Sequence, residues 1–200
     1  MNKPSEQKVK LAFNVPNTIT VVRVVMAIII VRLLYIGGET EIFTAGILLI
    51  VAALTDWLDG FLARKLGQAS LGGSLFDLVA DEILFIPTLI MAIATGLFSR
   101  TDALMPFNPY PYAVPALAGG VMVIAGVAIY LWKRRSRVFD FPTPTGVAKV
   151  NFWFWLTPLI IAVLNIGPDI LLAVMMYIAI VSTVLTFYSY LKKGSYIFTD

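Results

Sequence analysis

The sequence predicts an all-α, polytopic membrane protein of six transmembrane helices with a short N-terminal interfacial segment. Three observations predict it. Of the 200 residues, 59% are hydrophobic and mean hydropathy is +0.87, far above a water-soluble domain. The apolar residues gather in six runs, near the roughly 20 residues that cross a bilayer core. The breaks between runs are Gly, Pro and polar clusters, the usual punctuation between helices.

The elements follow in order. Lys8-Val-Lys10-Leu-Ala-Phe13 alternates basic and apolar residues. It suits an interfacial helix on an anionic leaflet, and equally a flexible basic leader. Met1–Asn14 is too polar for a cleavable signal peptide. Span 1 is expected over Thr18–Tyr35, with Pro16 starting the helix and Asn17 capping it, and it stops at Gly37-Gly38. Span 2 covers Ile42–Leu62 and reaches the break at Leu66–Gly73. Span 3 covers Leu75–Leu97, before a polar and Pro-rich break at Ser99–Pro111. Span 4 covers Ala113–Trp132 and ends in the basic stretch Arg134–Pro144. Span 5 covers Phe152–Leu164, extended at its start by Gly146–Asn151, and its Phe152-Trp153-Phe154-Trp155 run reads as an interfacial aromatic belt. Span 6 covers Ile170–Leu191, after Gly167-Pro168. Residues 1–200 are expected to make one domain, a single helical bundle with no separate soluble part.

Charge orients these spans. Lys3, Lys8, Lys10, Arg64, Lys65, Lys133, Arg134, Arg135, Arg137, Lys149, Lys192 and Lys193 fall on one side, and Arg100 alone on the other. Such a bias marks the cytoplasmic side, here an inner-membrane topology with both termini and the span 2–span 3 junction facing the cytoplasm. The same border placement argues against nucleic-acid binding. The chain has no Cys and no His. Imidazole is therefore excluded as base, nucleophile or metal ligand, and proton transfer falls to carboxylates, Tyr or Lys.

Four aspartates, Asp56, Asp59, Asp77 and Asp81, interrupt apolar runs at that junction. A carboxylate inside a bilayer costs about 2.5–3.5 kcal/mol on insertion scales, so four ask for compensating cations. Asp56 and Asp59 are three apart on span 2 and share a helical face. Gly73, Asp77 and Asp81 are spaced by four on span 3 and form a stripe. A short turn joins the two spans, so two carboxylates from each helix meet across one antiparallel seam, the arrangement with which bundles build dinuclear metal sites. Oxygen-only donors suit Mg²⁺ or Mn²⁺, which also sit where phosphates bind. Gly60, Ala63 and Gly73 keep the seam free of bulk. Close helix packing would explain them, and so would room for a large polar ligand. Arg64 at the border serves either as topogenic charge or as a phosphate clamp.

The pattern Asp56-x₂-Asp59-Gly60-x₂-Ala63-Arg64-x₈-Gly73-x₃-Asp77-x₃-Asp81 resembles the signature of the CDP-alcohol phosphatidyltransferases. All eight signature residues stand at the family's spacing. The resemblance implies transfer of a phosphatidyl group from a CDP-linked lipid to a small polar alcohol, with release of CMP. It implies that Asp56, Asp59, Asp77 and Asp81 hold two divalent ions and that Asp81 is also general base. It implies that Gly60, Ala63 and Arg64 contact the cytidine diphosphate, that Gly73 allows close approach, that Ser70 in the turn contacts phosphate, and that the protein is a homodimer among membrane lipids. Two metals can neutralise a pyrophosphate and stabilise a departing phosphate, and a carboxylate beside a metal can accept a hydroxyl proton. Without His there is no phospho-histidine route, and a single in-line displacement remains.

The acceptor is less legible. Asn14-Val-Pro16-Asn17-Thr-Ile-Thr20-Val-Val-Arg23 resembles the start of the phosphatidylglycerophosphate synthases and related cardiolipin synthases of this fold. In that reading Asn17 and Thr20 face the nucleotide, although capping and helix–helix hydrogen bonding explain them equally. Arg23 lies inside span 1 and needs a partner, and the aspartate cleft is the expected one. Arg23, Lys149 and Arg134 are candidate contacts for the phosphate of an anionic acceptor such as glycerol 3-phosphate, with topogenic charge as the competing explanation for Arg134. Lys149 opens a helix, where the dipole opposes a cation and an anionic ligand would relieve it. One departure stands against that acceptor: glycerophosphate-using members usually carry Lys after the fourth aspartate, and this chain has Glu82. Inositol phosphate, phosphatidylglycerol and serine are the alternative acceptors. A divalent-cation transporter is the alternative of another class, but it gives Gly60, Ala63, Arg64 and Gly73 no task and expects internal repeats.

Overall fold

Each predicted apolar run is a helix. The computed structural model describes residues 15–65, 71–133 and 146–194, and among them there are six α-helices and no strand. They are α1 (Val15–Ile36), α2 (Glu39–Lys65), α3 (Leu71–Ala94), α4 (Tyr110–Lys133), α5 (Gly146–Leu164) and α6 (Asp169–Gly194), with a short 3₁₀ helix at Ser99–Thr101. The helices run from 19 to 27 residues, about 28 to 40 Å at the α-helical rise. Two stretches, Thr18–Ile36 and Asp169–Thr186, are long and apolar enough to cross a membrane by length and composition, and Tyr110–Ala125 and Asn151–Leu164 are shorter apolar stretches. On α2 and α3, Asp56, Asp59, Asp77, Asp81 and Glu82 interrupt the apolar sequence.

Helix ends explain where the boundaries shift. α3 stops at Ala94, short of the expected Leu97. Gly96 adopts φ +72, and Leu97 N–H donates to Ala92 O at 3.0 Å while Gly96 N–H donates to Ile93 O at 3.0 Å. This is a Schellman closure, in which a left-handed residue turns the chain back on its last carbonyls. α5 closes the same way with Asn165 at φ +51, Ile166 N–H donating to Ile161 O and Asn165 N–H to Ala162 O. At the other end, α1 already includes Val15 and Pro16, so Asn17 lies within the helix and is not its cap.

α1 packs against both α2 and α3, α5 against α6 and α2, and α4 against α3 and α6. The main core includes Ile30 and Leu34 of α1, Leu49 and Ala52 of α2, Leu84 and Leu89 of α3, Leu159 of α5 and Met176 of α6. Its aromatic part is a chain of contacting rings, Phe98 to Tyr112 at 5.4 Å and Tyr112 to Trp155 at 4.9 Å between centroids. The buried Tyr112 hydroxyl donates to Trp155 O at 2.6 Å, so its polar tip is satisfied as burial requires. α2 approaches α5 through Gly46, where an added Cβ would collide with the Leu164 side chain. The outward faces are apolar as well: Val21, Ile28, Phe43, Leu54, Val121 and Val184 are all exposed.

Candidate active site

Three helices meet at one guanidinium. Asp56 projects from α2, Asp77 and Asp81 from α3, and Arg23 from α1, which lies against both. Arg23 is 0% exposed. Its Nη1 lies 2.7 Å from Asp81 Oδ1, 2.8 Å from Asp77 Oδ1 and 3.2 Å from Asp56 Oδ1. It donates hydrogen bonds to Asp77 and Asp81. A carboxylate oxygen of each of Asp56, Asp77 and Asp81 falls within 4.8 Å of the other two. Helix period accounts for the convergence: positions 77 and 81 are one turn apart on α3, and the face they share is the one α1 covers.

Charge balance sets the character of the site. Three carboxylates surround one guanidinium, so negative charge remains in excess among the described side chains. The aspartates keep partial solvent access, with side-chain exposures of 19%, 35% and 16% for Asp56, Asp77 and Asp81, while Arg23 has none. Ions can therefore reach the carboxylates from outside while the arginine supports them from within. The excess charge and the all-oxygen donor set fit a divalent ion such as Mg²⁺ or Mn²⁺.

The other expected site residues divide by location. Thr20 is 3% exposed and three residues before Arg23, on the same helical face. Gly73 is half-buried at the start of the α3 stripe. Asp59, Gly60, Ala63 and Arg64 are helical positions of α2 beyond Asp56, Asn17 is in α1, and Lys149 is in the first turn of α5. The side chains of those six lie outside the described residues, as do Ser70 and Arg134 altogether. Arg23 carried two expectations. The structure puts it among the aspartates, as its need for a partner predicts, with its guanidinium on carboxylates in the place of an acceptor phosphate.

Glu82, which stands where the family usually has Lys, faces a different neighbour. It is not a fifth acid of the cluster. One residue along a helix is a rotation of about 100°, and that carries Glu82 away from the Asp77–Asp81 stripe toward α4. There it is 8% exposed and packs closely on Gly120: a Cβ there would stand 2.5 Å from Glu82 Oε2 and 2.6 Å from Ile86 Cδ1, so those side chains would have to shift. Gly120 is the residue that sequence reasoning missed, and the available signal was the Gly119-Gly120 pair inside an apolar run.

Comparison with known proteins bears on the same residues. A family model described as CDP-alcohol phosphatidyltransferase matches residues 13–187. Among curated relatives, the chain is 39% identical over 83 residues to the "CDP-diacylglycerol--glycerol-3-phosphate 3-phosphatidyltransferase" of Wigglesworthia glossinidia brevipalpis, a match covering 42% of this chain and 46% of the relative. It is 34% identical over 83 residues to the protein of that name from Haemophilus influenzae, covering 42% and 45%. With that from Escherichia coli K12 it shares 36% over 81 residues, covering 40% and 44%. The matched segment thus spans less than half the length of each of these relatives.

Proposed function

Because the chain belongs to the CDP-alcohol phosphatidyltransferase family, we propose that it is a phospholipid-biosynthetic enzyme that transfers a phosphatidyl group from CDP-diacylglycerol, or an ether analogue, to glycerol 3-phosphate and releases CMP. The observation that carries the reading is the convergence of Asp56, Asp77 and Asp81 within 4.8 Å, in the spacing of the family's signature. The names of the relatives support the acceptor. Glu82, whose carboxylate is turned to α4, weighs less against an anionic acceptor than its position in the sequence suggests.

Asp56, Asp59, Asp77 and Asp81 would hold two divalent ions, which supply charge neutralisation of the pyrophosphate and of the leaving phosphate. The residues of the chain do the rest. Gly60, Ala63 and Gly73 leave backbone uncovered beside the nucleotide, and Arg64 and Ser70 bind its phosphates. Asp81 accepts the proton of the acceptor hydroxyl as the oxygen attacks the lipid-side phosphorus. The new P–O bond to the acceptor forms as the pyrophosphate P–O bond breaks, and CMP leaves with the bonding electron pair. The six helices would span the inner membrane with the cradle and both termini cytoplasmic, a topology supported by the twelve-to-one distribution of basic residues. The protein would act as a homodimer, as the family resemblance implies.

The test is CMP release from CDP-diacylglycerol by purified protein in Mg²⁺, comparing glycerol 3-phosphate, inositol phosphate, inositol, serine and phosphatidylglycerol. Glycerol 3-phosphate is expected to give the highest rate. A preference for another acceptor corrects the substrate alone. Mn²⁺ uptake into vesicles without CMP release would overturn the enzymatic reading.

A further inference from the structure

The position of Arg23 has a meaning for metal binding that goes beyond pairing a buried charge. We infer that Arg23 is the resident counter-ion of the cradle. It holds α1, α2 and α3 together when no metal is bound, and it yields its carboxylate oxygens when divalent ions arrive. The inference rests on the two-ion reading of the cradle proposed above.

The argument is one of shared atoms. The oxygen that each of Asp56, Asp77 and Asp81 presents to Arg23 Nη1 is its Oδ1, at 3.2, 2.8 and 2.7 Å. One nitrogen draws three oxygens from two helices to a single point, which is also what a divalent ion does with such donors. A guanidinium and an ion compete for the same lone pairs and repel each other at that range. Arg23 has no exposure to solvent, so its charge is poorly screened and cannot leave for water. It can only shift its contacts within the bundle. Two consequences follow, of opposite sign. Without metal, Arg23 offsets repulsion among the aspartates and keeps the seam closed. With metal, it lowers the affinity, so that the ions are held less tightly than the carboxylates alone would hold them. A residue of purely structural value would show only the first effect.

The experiment uses full-length protein in detergent or nanodiscs and compares wild type, Arg23→Gln and Arg23→Lys. Mn²⁺ binding is followed by electron paramagnetic resonance, and melting temperature is measured in EDTA and in Mg²⁺. R23Q is expected to bind Mn²⁺ at least about tenfold more tightly, the size of effect a neighbouring charge has on a carboxylate's affinity for a proton. It is also expected to melt lower than wild type in EDTA and to gain more from Mg²⁺. R23K keeps the charge but not the planar fork, so it should shift in the same directions by less. It carries the comparison alone if R23Q does not accumulate. Mn²⁺ affinity that is unchanged or weaker in the variants overturns the inference and leaves the metal cradle standing. Wild-type protein that binds no Mn²⁺ overturns the cradle itself.

Discussion

Arg23 and Arg100 are two inward-facing arginines with opposite surroundings. Arg23 meets three carboxylates. Arg100, in the 3₁₀ helix after α3, meets backbone instead: Nη1 donates to Gly167 O at 3.0 Å, and Nη2 donates to Ile166 O at 3.1 Å and Ile161 O at 3.4 Å. One acid, Asp169, adds a contact at 3.6 Å. These carbonyls lie at and just beyond the C-terminal end of α5, where the helix dipole places negative charge. Arg100 therefore meets groups that its two terminal nitrogens can satisfy. Around Arg23 the acids outnumber the cation among the described side chains. Two arginines, one buried and one only partly so, thus have different surroundings. The balanced one, Arg100, ties the α3–α4 connection to the α5–α6 connection, and the unbalanced one, Arg23, stands where we propose that ligands bind.

This contrast can be broken in several ways, from the largest effect to the smallest. Asp81→Asn removes a proton acceptor and one cradle charge. Turnover should fall by at least about a hundredfold, in the range for general bases, while CDP-lipid binding measured by calorimetry largely survives. Near-normal turnover would remove Asp81 as the base. Arg100→Met should leave Mn²⁺ affinity unchanged and lower stability by about 2 kcal/mol, the scale of hydrogen bonds to a charged group. A changed Mn²⁺ affinity in that variant would show that the two arginine sites are coupled. Gly46→Leu should destabilise by about 1–3 kcal/mol through overpacking against Leu164, visible as a lower melting temperature in EDTA and Mg²⁺ alike. Tyr112→Phe removes the hydrogen bond to Trp155 O and should cost about 1 kcal/mol, with the metal-induced shift in melting temperature preserved. If either variant at the Arg100 end abolishes that shift, the division of the molecule into a balanced and an unbalanced part fails.

The helices were legible in the sequence because apolar runs and breakers coincide with them. Gly37-Gly38 and Gly167-Pro168 flank real helix ends, and α5 covers the expected Gly146–Leu164. Asp56, Asp77 and Asp81 were legible because period and spacing place them on facing helices, and Arg23 because a buried charge demands a partner. Glu82 was misread. Its neighbour Asp81 suggested its environment, but adjacent helical residues face different neighbours, and the glycine that accommodates Glu82 is on another helix. Arg100 read as nothing more than an isolated cation on the far side. Its partners are backbone carbonyls, which have no sequence signature and come within reach only after Asn165 turns the chain at the end of α5.

The contact between Arg23 and Asp81 spans 58 positions of chain. During synthesis α1 emerges first, carrying a cation whose partners do not yet exist. Asp56 comes with α2, and Asp77 and Asp81 only with α3. The α2–α3 pair in turn carries mutually repelling acids until it finds the helix made before it. Each part is poorly accommodated alone and better accommodated together, so these three helices complete one another's charge. Quality control that retains unpaired charged helices would respond to the loss of any one of them before the last three helices are made.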